Sequence, residues 1–115
     1  MAFTEFESRV NETAIAAFMA RRRPPEHIRP RLDLAYEQKG QVFEFFSIYP
    51  GLGAKKTLIH NPVARIRFIR TQDIWQLYWK RADMKWHLYE PSHQHTTLAS
   101  ALQTVDEDKY CCFWG

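Results

Sequence analysis

The chain has 115 residues, and this length accounts for one domain with its own core, over residues 1–115. Hydrophobic residues make up 45 % and aromatic residues 15 %, which excludes a disordered tail, since such segments cannot offset their ordering entropy by burial. The net charge of +3 is mildly basic, and no stretch approaches the roughly 18 apolar residues that a membrane helix requires. The N-terminus lacks a secretory signal pattern, and the two cysteines, Cys111 and Cys112, are adjacent. We therefore expect no disulfide framework and a cytoplasmic location.

A long helix is predicted over residues 4–22. Thr4 and Glu7 have the spacing of a capping box, in which each side chain accepts a hydrogen bond from the backbone of the other residue. Three arginines fall in the last turn, and Pro24 ends the helix. The apolar positions that recur at helical spacing predict its buried face: Phe6, Val10, Ala14, and Ala17 or Phe18.

After the connector 24–30, the apolar residues alternate, as is typical of strands. Five strands are predicted, over residues 32–37, 42–49, 65–68, 75–80 and 85–89, with turn residues between them. Short connections favour antiparallel pairing of sequence neighbours, and therefore a meander. The alternation predicts one core-facing set and one outward-facing set in the last two strands. The core-facing set is Trp75, Leu77, Trp79, Trp86 and Leu88, and the outward-facing set is Gln76, Tyr78, Lys80, Lys85, His87 and Tyr89.

The C-terminal part predicts a short helix and a short final strand. Thr96 or Thr97 caps the helix, which we expect to end near Val105, because the acidic run that follows suits the negative end of a helix dipole poorly. Residues 110–114 would form the final strand. The predicted fold class is α+β: an N-terminal helix packed on a five-stranded antiparallel meander sheet, with a short C-terminal helix and a short final strand.

Several motifs resemble a bacterial family of short stand-alone proteins, the family with domain of unknown function 3024. The motifs that carry the resemblance are RRPP (22–25), HIRP (27–30), NPVA (61–64), WKRADMKWHLYEP (79–91) and VDEDKYCCFWG (105–115). The similarity extends over nearly the whole chain. It implies a single-domain bacterial cytoplasmic protein, and it implies neither an activity nor a set of catalytic residues.

Positive charge is concentrated in two segments. Residues 21–31 carry +4 and residues 55–70 carry +5, the latter including Lys55 and Lys56, which leaves −6 on the rest of a chain with net charge +3. Cations and aromatic rings together on one sheet face are typical of single-stranded nucleic-acid binding. The residues predicted to bind nucleic acid are Arg65, Arg67, Tyr78, Lys80, Lys85 and Tyr89. A solvated sheet face without a ligand, a surface for an acidic protein partner and a homo-oligomer all remain open.

A second hypothesis is a small-molecule site or a small enzyme with a pocket near His27, Arg29, His87 and Glu90. A histidine there could act as a base, and an arginine could hold a carboxylate or phosphate. No glycine-rich cofactor loop or nucleophile elbow is present, so we expect no cofactor and leave the enzyme question open. The thiols of Cys111 and Cys112 lie among aromatic residues, which favours buried, inert groups.

A metal site would draw on the cluster of His87, Glu90, His93 and His95. Imidazole and carboxylate are ligands for zinc or nickel, but Pro91 interrupts the cluster and no standard zinc spacing matches. A polar loop with solvated histidines is the simpler interpretation. We therefore predict a non-enzymatic binding or regulatory module that uses a basic, aromatic-bearing sheet face and no metal.

Overall fold

A computed structural model describes residues 2–53 and 57–115. The fold is α+β, as predicted, and strands β1 to β5 form an antiparallel meander in chain order. The elements are α1 (Glu5–Arg22), β1 (Asp33–Lys39), β2 (Val42–Pro50), β3 (Leu58–Ile69), β4 (Ile74–Lys80), β5 (Trp86–Leu88), a 3-10 turn (Glu90–Ser92), β6 (Gln94–His95) and α2 (Leu98–Glu107). Strands β5 and β6 pair with successive parts of β4: β6 with Trp75 and Gln76, and β5 with residues 78–80. Within the described residues, neither helix is long and apolar enough to cross a membrane.

The N-terminal helix has the predicted ends but a different buried face. The capping box forms, with the Thr4 N–H donating to Glu7 Oε1 at 2.8 Å and the Glu7 N–H donating to Thr4 Oγ1 at 3.1 Å. The predicted buried face is wrong at its N-terminal end, because the Phe6 side chain is 76 % exposed. Phe3, which precedes the helix, packs over the sheet instead, with its ring stacked 5.8 Å from that of Trp75. The helix therefore buries the stripe that begins at Asn11.

The further residues of this helix show the same rotation of the buried face. Ile15 and Phe18 are buried together with Asn11, whereas Val10 is 50 % exposed. Phe18 is fully buried and meets Phe45 edge to face, with ring centroids 5.2 Å apart. Apolar spacing alone did not distinguish the two stripes, because both contain apolar residues at helical intervals.

Both helices lie on one face of the sheet. Helix α1 packs beside α2, and α2 contacts β3, β4 and β6. One cluster of buried side chains joins these elements, and it includes Phe45, Ile66 and Leu77 of the sheet and Leu102 of α2. On the opposite face, which we call the outer face, all of the described side chains retain some exposure.

The pairing register of the last two strands corrects the predicted facing of β5. Trp86 lies opposite Lys80 and His87 lies opposite Trp79, so Trp86 belongs to the outer face and His87 to the helix-covered face. By the same alternation Leu88, predicted to face the core, lies on the outer face. Because β5 carries large side chains on both faces, its own sequence does not reveal its orientation. Its pairing with β4 decides it.

The C-terminal segment also differs from the prediction. Helix α2 continues to Glu107, past the expected end near Val105, because the Asp106 carboxylate accepts hydrogen bonds from the side chains of Arg21 and Arg22. Residues 110–114 form turns and bends instead of a final strand, and the short additional strand is β6. The main-chain N–H groups in this segment are satisfied locally, so they are not available to extend the sheet.

Asp108 supplies that local satisfaction. It ends α2 in the left-handed conformation, at φ 42°. Its carboxylate accepts hydrogen bonds from the N–H groups of Cys112, Phe113 and Trp114 at 2.8, 3.0 and 2.9 Å. The turn thus places Phe113 in the core against Tyr89 and lets the Trp114 ring stack on Phe18.

Candidate nucleic-acid interface

The outer face carries both cations and rings. Its main side chains come from four adjacent strands and are Glu44 and Phe46 of β2, His60, Pro62, Arg65 and Arg67 of β3, Gln76, Tyr78 and Lys80 of β4, and Trp86 and Leu88 of β5. Adjacent strands lie about 4.8 Å apart, so the face spans roughly 14 Å from β2 to β5. Neither α1 nor α2 covers these side chains, and each of them is at least partly exposed.

The rings and cations of this face are arranged in pairs. The guanidinium carbon of Arg65 lies 5.7 Å from the centre of the Tyr78 ring, and Lys80 Nζ lies 5.2 Å from the centre of the Trp86 ring. These distances are those of cation–π contacts. The positive charges are therefore held beside rings that are partly exposed.

A further ring pair stands at the other side of the face. Phe46 stacks on His60, with centroids 4.8 Å apart and planes 12° apart. Between this pair and Trp86 lies a cavity of about 180 Å³, with Lys80 and Glu44 at its wall. The outer face thus has a hollow between aromatic side chains and is not flat.

One acid, Glu44, reduces the positive charge at one edge of the outer face. Glu44 Oε2 lies 3.2 Å from Lys39 Nζ, and Glu44 Oε1 lies 3.8 Å from Arg65 Nε. The second distance is too long for a hydrogen bond, and Arg65 Nε is buried without a partner. Among the described residues, no carboxylate lies within 4.0 Å of Arg67 or Lys80. Those two cations are available to an external anion.

Part of the remaining positive charge is neutralised within the fold. In the segment 21–31, Arg21 and Arg22 bind Asp106, and Arg23 forms two hydrogen bonds to Asp33, at 2.9 and 3.0 Å. In the segment 55–70, Arg70 binds Glu7 at 3.0 Å, whereas Lys55 and Lys56 lie outside the described residues. The charge concentration seen in the sequence is therefore partly structural.

The structure brings together four of the six residues predicted for nucleic-acid binding: Arg65, Arg67, Tyr78 and Lys80. Lys85 lies in the exposed turn between β4 and β5. The prediction that Tyr89 lies on the surface is wrong. This residue is only 1 % exposed, and its ring packs against Phe113 with centroids 4.8 Å apart. Burial raises the pKa of the Tyr89 hydroxyl, as expected in the core.

Sequence reasoning missed three rings of the outer face. Phe46 lies in a strand that is apolar on both sides, so its facing was ambiguous. His60 precedes the predicted start of the third strand, whereas β3 begins at Leu58. Trp86 was assigned to the core because the β5 facing was inverted. Only the pairing register between strands could have identified them.

The four residues predicted for a small-molecule pocket separate into two places. A cavity of about 500 Å³ beside β5 includes His87 and Glu90 among its described lining residues, but not His27 or Arg29. Arg29 Nε donates to the Pro24 carbonyl at 3.0 Å, and His27 is exposed in the same connector. The convergence assumed for these residues is therefore not found.

The histidines near the end of the sheet have internal partners. His87 Nε2 lies 2.8 Å from Asp83 Oδ2. Hydrogen bonds from the Lys85 N–H and from His87 lower the pKa of the Asp83 carboxyl group. His95 is buried, with one ring nitrogen 2.8 Å from Ser100 Oγ and the other 2.9 Å from the Ser92 carbonyl oxygen. No group of three or more metal-ligating side chains is found among the described residues.

The two thiols differ in their surroundings. Cys111 is exposed, contrary to the expectation of burial, and adopts φ 56° in the C-terminal turn. Cys112 is half-buried, and burial raises the pKa of its thiol. A thiol with a raised pKa is mostly protonated near neutral pH and is a poor nucleophile. Cys112 therefore has no activation of the kind that a catalytic cysteine needs.

The sequence profile of the family described as domain of unknown function (DUF3024) matches residues 3–115. The chain belongs to this family, and the resemblance of its motifs is confirmed. Neither a curated protein nor a solved structure matches the chain.

Proposed function

We propose that the outer face binds single-stranded nucleic acid, with the rings stacking on bases and the cations contacting phosphates. The observation that supports this most directly is the pairing of Lys80 with Trp86 and of Arg65 with Tyr78 on a sheet face without a helical cover. Base stacking on aromatic side chains tolerates any sequence, because every base has a ring face. The protein would act as a binding module and not through covalent chemistry.

The size of the face defines the expected footprint. Rings on β2, β4 and β5 lie across about 14 Å of the sheet, since neighbouring strands are about 4.8 Å apart. Four-stranded sheets that bind RNA through aromatic side chains stack two or three bases. We therefore propose that two or three nucleotides contact the rings directly, with Arg67 and Lys80 at the phosphates between them.

The same proposal includes the cellular setting. The chain would work in the bacterial cytoplasm, where single-stranded RNA and DNA are available. The free thiols of Cys111 and Cys112 are in keeping with a reducing compartment.

Binding of a fluorescently labelled single-stranded oligonucleotide, measured by anisotropy over a range of salt concentrations, tests this function. We expect the affinity to fall with salt, because cations of the protein displace counterions from phosphates. Replacing Arg67 and Lys80 by glutamate should weaken binding by tenfold or more. It should also reduce the salt dependence, by about 0.7 in the log–log slope for each phosphate contact removed.

A matched control is the Lys109→Glu variant, because Lys109 is exposed in the turn after α2, away from the outer face. It makes the same kind of charge change and should leave the affinity nearly unchanged. An equal loss in Lys109→Glu, or binding of the parent protein that does not depend on salt, would contradict the proposal.

A further inference from the structure

The cavity beside β5 is distinct from the hollow on the outer face. Its volume of about 500 Å³ is within the range of small-ligand sites. Beside it, β5 has only three residues, and the chain then enters a 3-10 turn at Glu90. The cavity lies at the edge of the sheet, and Tyr78 and Trp86 belong both to its wall and to the outer face.

Aromatic side chains form a large part of the described walls of this cavity. Trp79 and Trp86 reach it from opposite faces of the sheet, since Trp79 pairs with His87 and Trp86 pairs with Lys80. Tyr78 and Tyr89 complete the aromatic lining. Walls of this kind favour a flat ring, because ring stacking adds to the free energy gained from burial alone.

Two charged side chains of the cavity have no ionic partner among the described residues. The Arg81 guanidinium lies over the Trp79 ring, 5.6 Å from its centre, and no carboxylate lies within 4.0 Å of it. Glu90 lines the cavity at the start of the 3-10 turn and likewise lacks a cation within that distance. A guanidinium suits a phosphate, and a carboxylate accepts hydrogen bonds from ring N–H or amino groups.

We infer that this cavity binds a single nucleotide, with the base between the aromatic walls, the phosphate at Arg81 and the base edge at Glu90. The nucleotide has two possible sources, a free mononucleotide or the last nucleotide of a bound strand. The second source rests on the proposed function of the outer face, because Tyr78 and Trp86 connect the two sites. The first source does not depend on it.

Quenching of tryptophan fluorescence by nucleoside 5′-monophosphates tests this inference, since Trp79 and Trp86 line the cavity. We expect saturable quenching by a monophosphate, and binding at least tenfold weaker for the matching nucleoside and for ribose 5-phosphate. The nucleoside lacks the phosphate, and ribose 5-phosphate lacks the base. Equal affinity for ribose 5-phosphate and the monophosphate would overturn the inference.

The variants Arg81→Gln and Glu90→Gln identify the groups involved. Each should raise the dissociation constant for the monophosphate about tenfold, the size expected when a hydrogen bond to a charged group is lost. Both residues are exposed, so the fold should persist, and an unchanged thermal unfolding curve verifies this. An unchanged dissociation constant in Arg81→Gln would refute the assigned phosphate position.

Arg67→Gln separates this inference from the proposed function. Arg67 lies on the outer face and is not among the residues that line the cavity. It should weaken oligonucleotide binding and leave monophosphate binding unchanged. A competition experiment distinguishes the two sources of the nucleotide. Displacement of the monophosphate by an oligonucleotide indicates that a strand end occupies the cavity, whereas independent binding of the two indicates a free mononucleotide.

Discussion

The two faces of the sheet use the same kinds of side chain in opposite ways. On the helix-covered face, Phe43 and Trp75 pack against Phe3, with ring centroids 6.0 and 5.8 Å from it. On the outer face, Tyr78 and Trp86 pack against cations instead. Burial of rings against rings stabilises the fold, whereas the rings held beside half-buried cations stay partly exposed and available to a ligand. Aromatic content alone therefore says little about function until each ring is assigned to a face.

The largest effect on stability is expected on the covered face. Phe18 is fully buried and contacts Phe45 and Trp114. The Phe18→Ala variant should lower the free energy of unfolding by about 3–5 kcal/mol, from lost burial and the cavity left behind. Urea denaturation followed by circular dichroism measures the change. A loss below 1 kcal/mol would show that this face is not the principal core.

The next largest effect concerns the turn that closes the same face. Asp108→Ala removes the acceptor of three backbone N–H groups and places alanine at φ 42°. We expect a loss of roughly 2–3 kcal/mol, since hydrogen bonds to charged groups contribute about 1.5–3 kcal/mol each and part of the turn can rehydrate. Asp108→Asn keeps an oxygen acceptor and tolerates this φ, so it should lose clearly less. Denaturation of both variants in urea compares them.

A smaller effect is expected from acid, through the carboxylates that tie α1 to the rest of the chain. The hydrogen bond from Arg23 lowers the pKa of Asp33. Burial alone would raise the pKa of Asp106. Hydrogen bonds from Arg22 and Arg21 outweigh this effect, so the pKa of Asp106 is lowered overall. A carboxyl group with a lowered folded-state pKa stabilises the fold fully above its ordinary pKa of about 3.9, and this contribution is lost as the pH falls through the folded-state value.

The free energy of unfolding should therefore decrease as the pH falls from about 5 to 3. In Asp33→Asn, which cannot titrate at this position, the decrease should be smaller than in the parent protein. Urea denaturation at a series of pH values makes the comparison. A pH dependence that is the same in both proteins would mean that the Arg23–Asp33 pair does not contribute to it.

The smallest effect on stability is expected on the outer face. Phe46→Leu keeps an apolar side chain in a half-buried position, so it should cost about 1 kcal/mol or less. The same variant should weaken oligonucleotide binding by about 1–3 kcal/mol if a base stacks on this ring. Thermal unfolding and fluorescence anisotropy measure the two quantities on one preparation. A large loss of stability together with unchanged binding would reverse the roles assigned to the two faces.

The local elements were predictable because their signals lie within a few residues of each other. Thr4 and Glu7 form the expected capping box, and Thr97 caps α2 through its hydroxyl, which accepts from the Ser100 N–H. The candidate site was predictable only in β3 and β4. There, basic or polar residues alternate with fully buried ones such as Ile66 and Leu77, so the alternation itself reveals the outer face.

In β5 and α1, the direction in which side chains face depends on contacts with residues that are distant in the sequence. The β5 sequence contains large side chains on both faces, so only its pairing with β4 shows that Trp86 faces outward. In α1, Phe6 is exposed because Phe3, outside the helix, occupies the space over the sheet. A one-residue change of register or a small rotation of a helix reverses such assignments without changing any local propensity.

The sequence by itself determined the α+β class, the order of the meander and the ends of the N-terminal helix, because these depend on periodicity, caps and turns along the chain. Tertiary structure alone decided which charges are neutralised and which side chains share a surface. It paired Asp106 with Arg21 and Arg22, left Arg67 and Lys80 without a carboxylate partner among the described residues, and placed Tyr89 in the core. The physical reason is that ion pairing and burial depend on which side chains meet in space, and residues 84 or more positions apart meet only after folding.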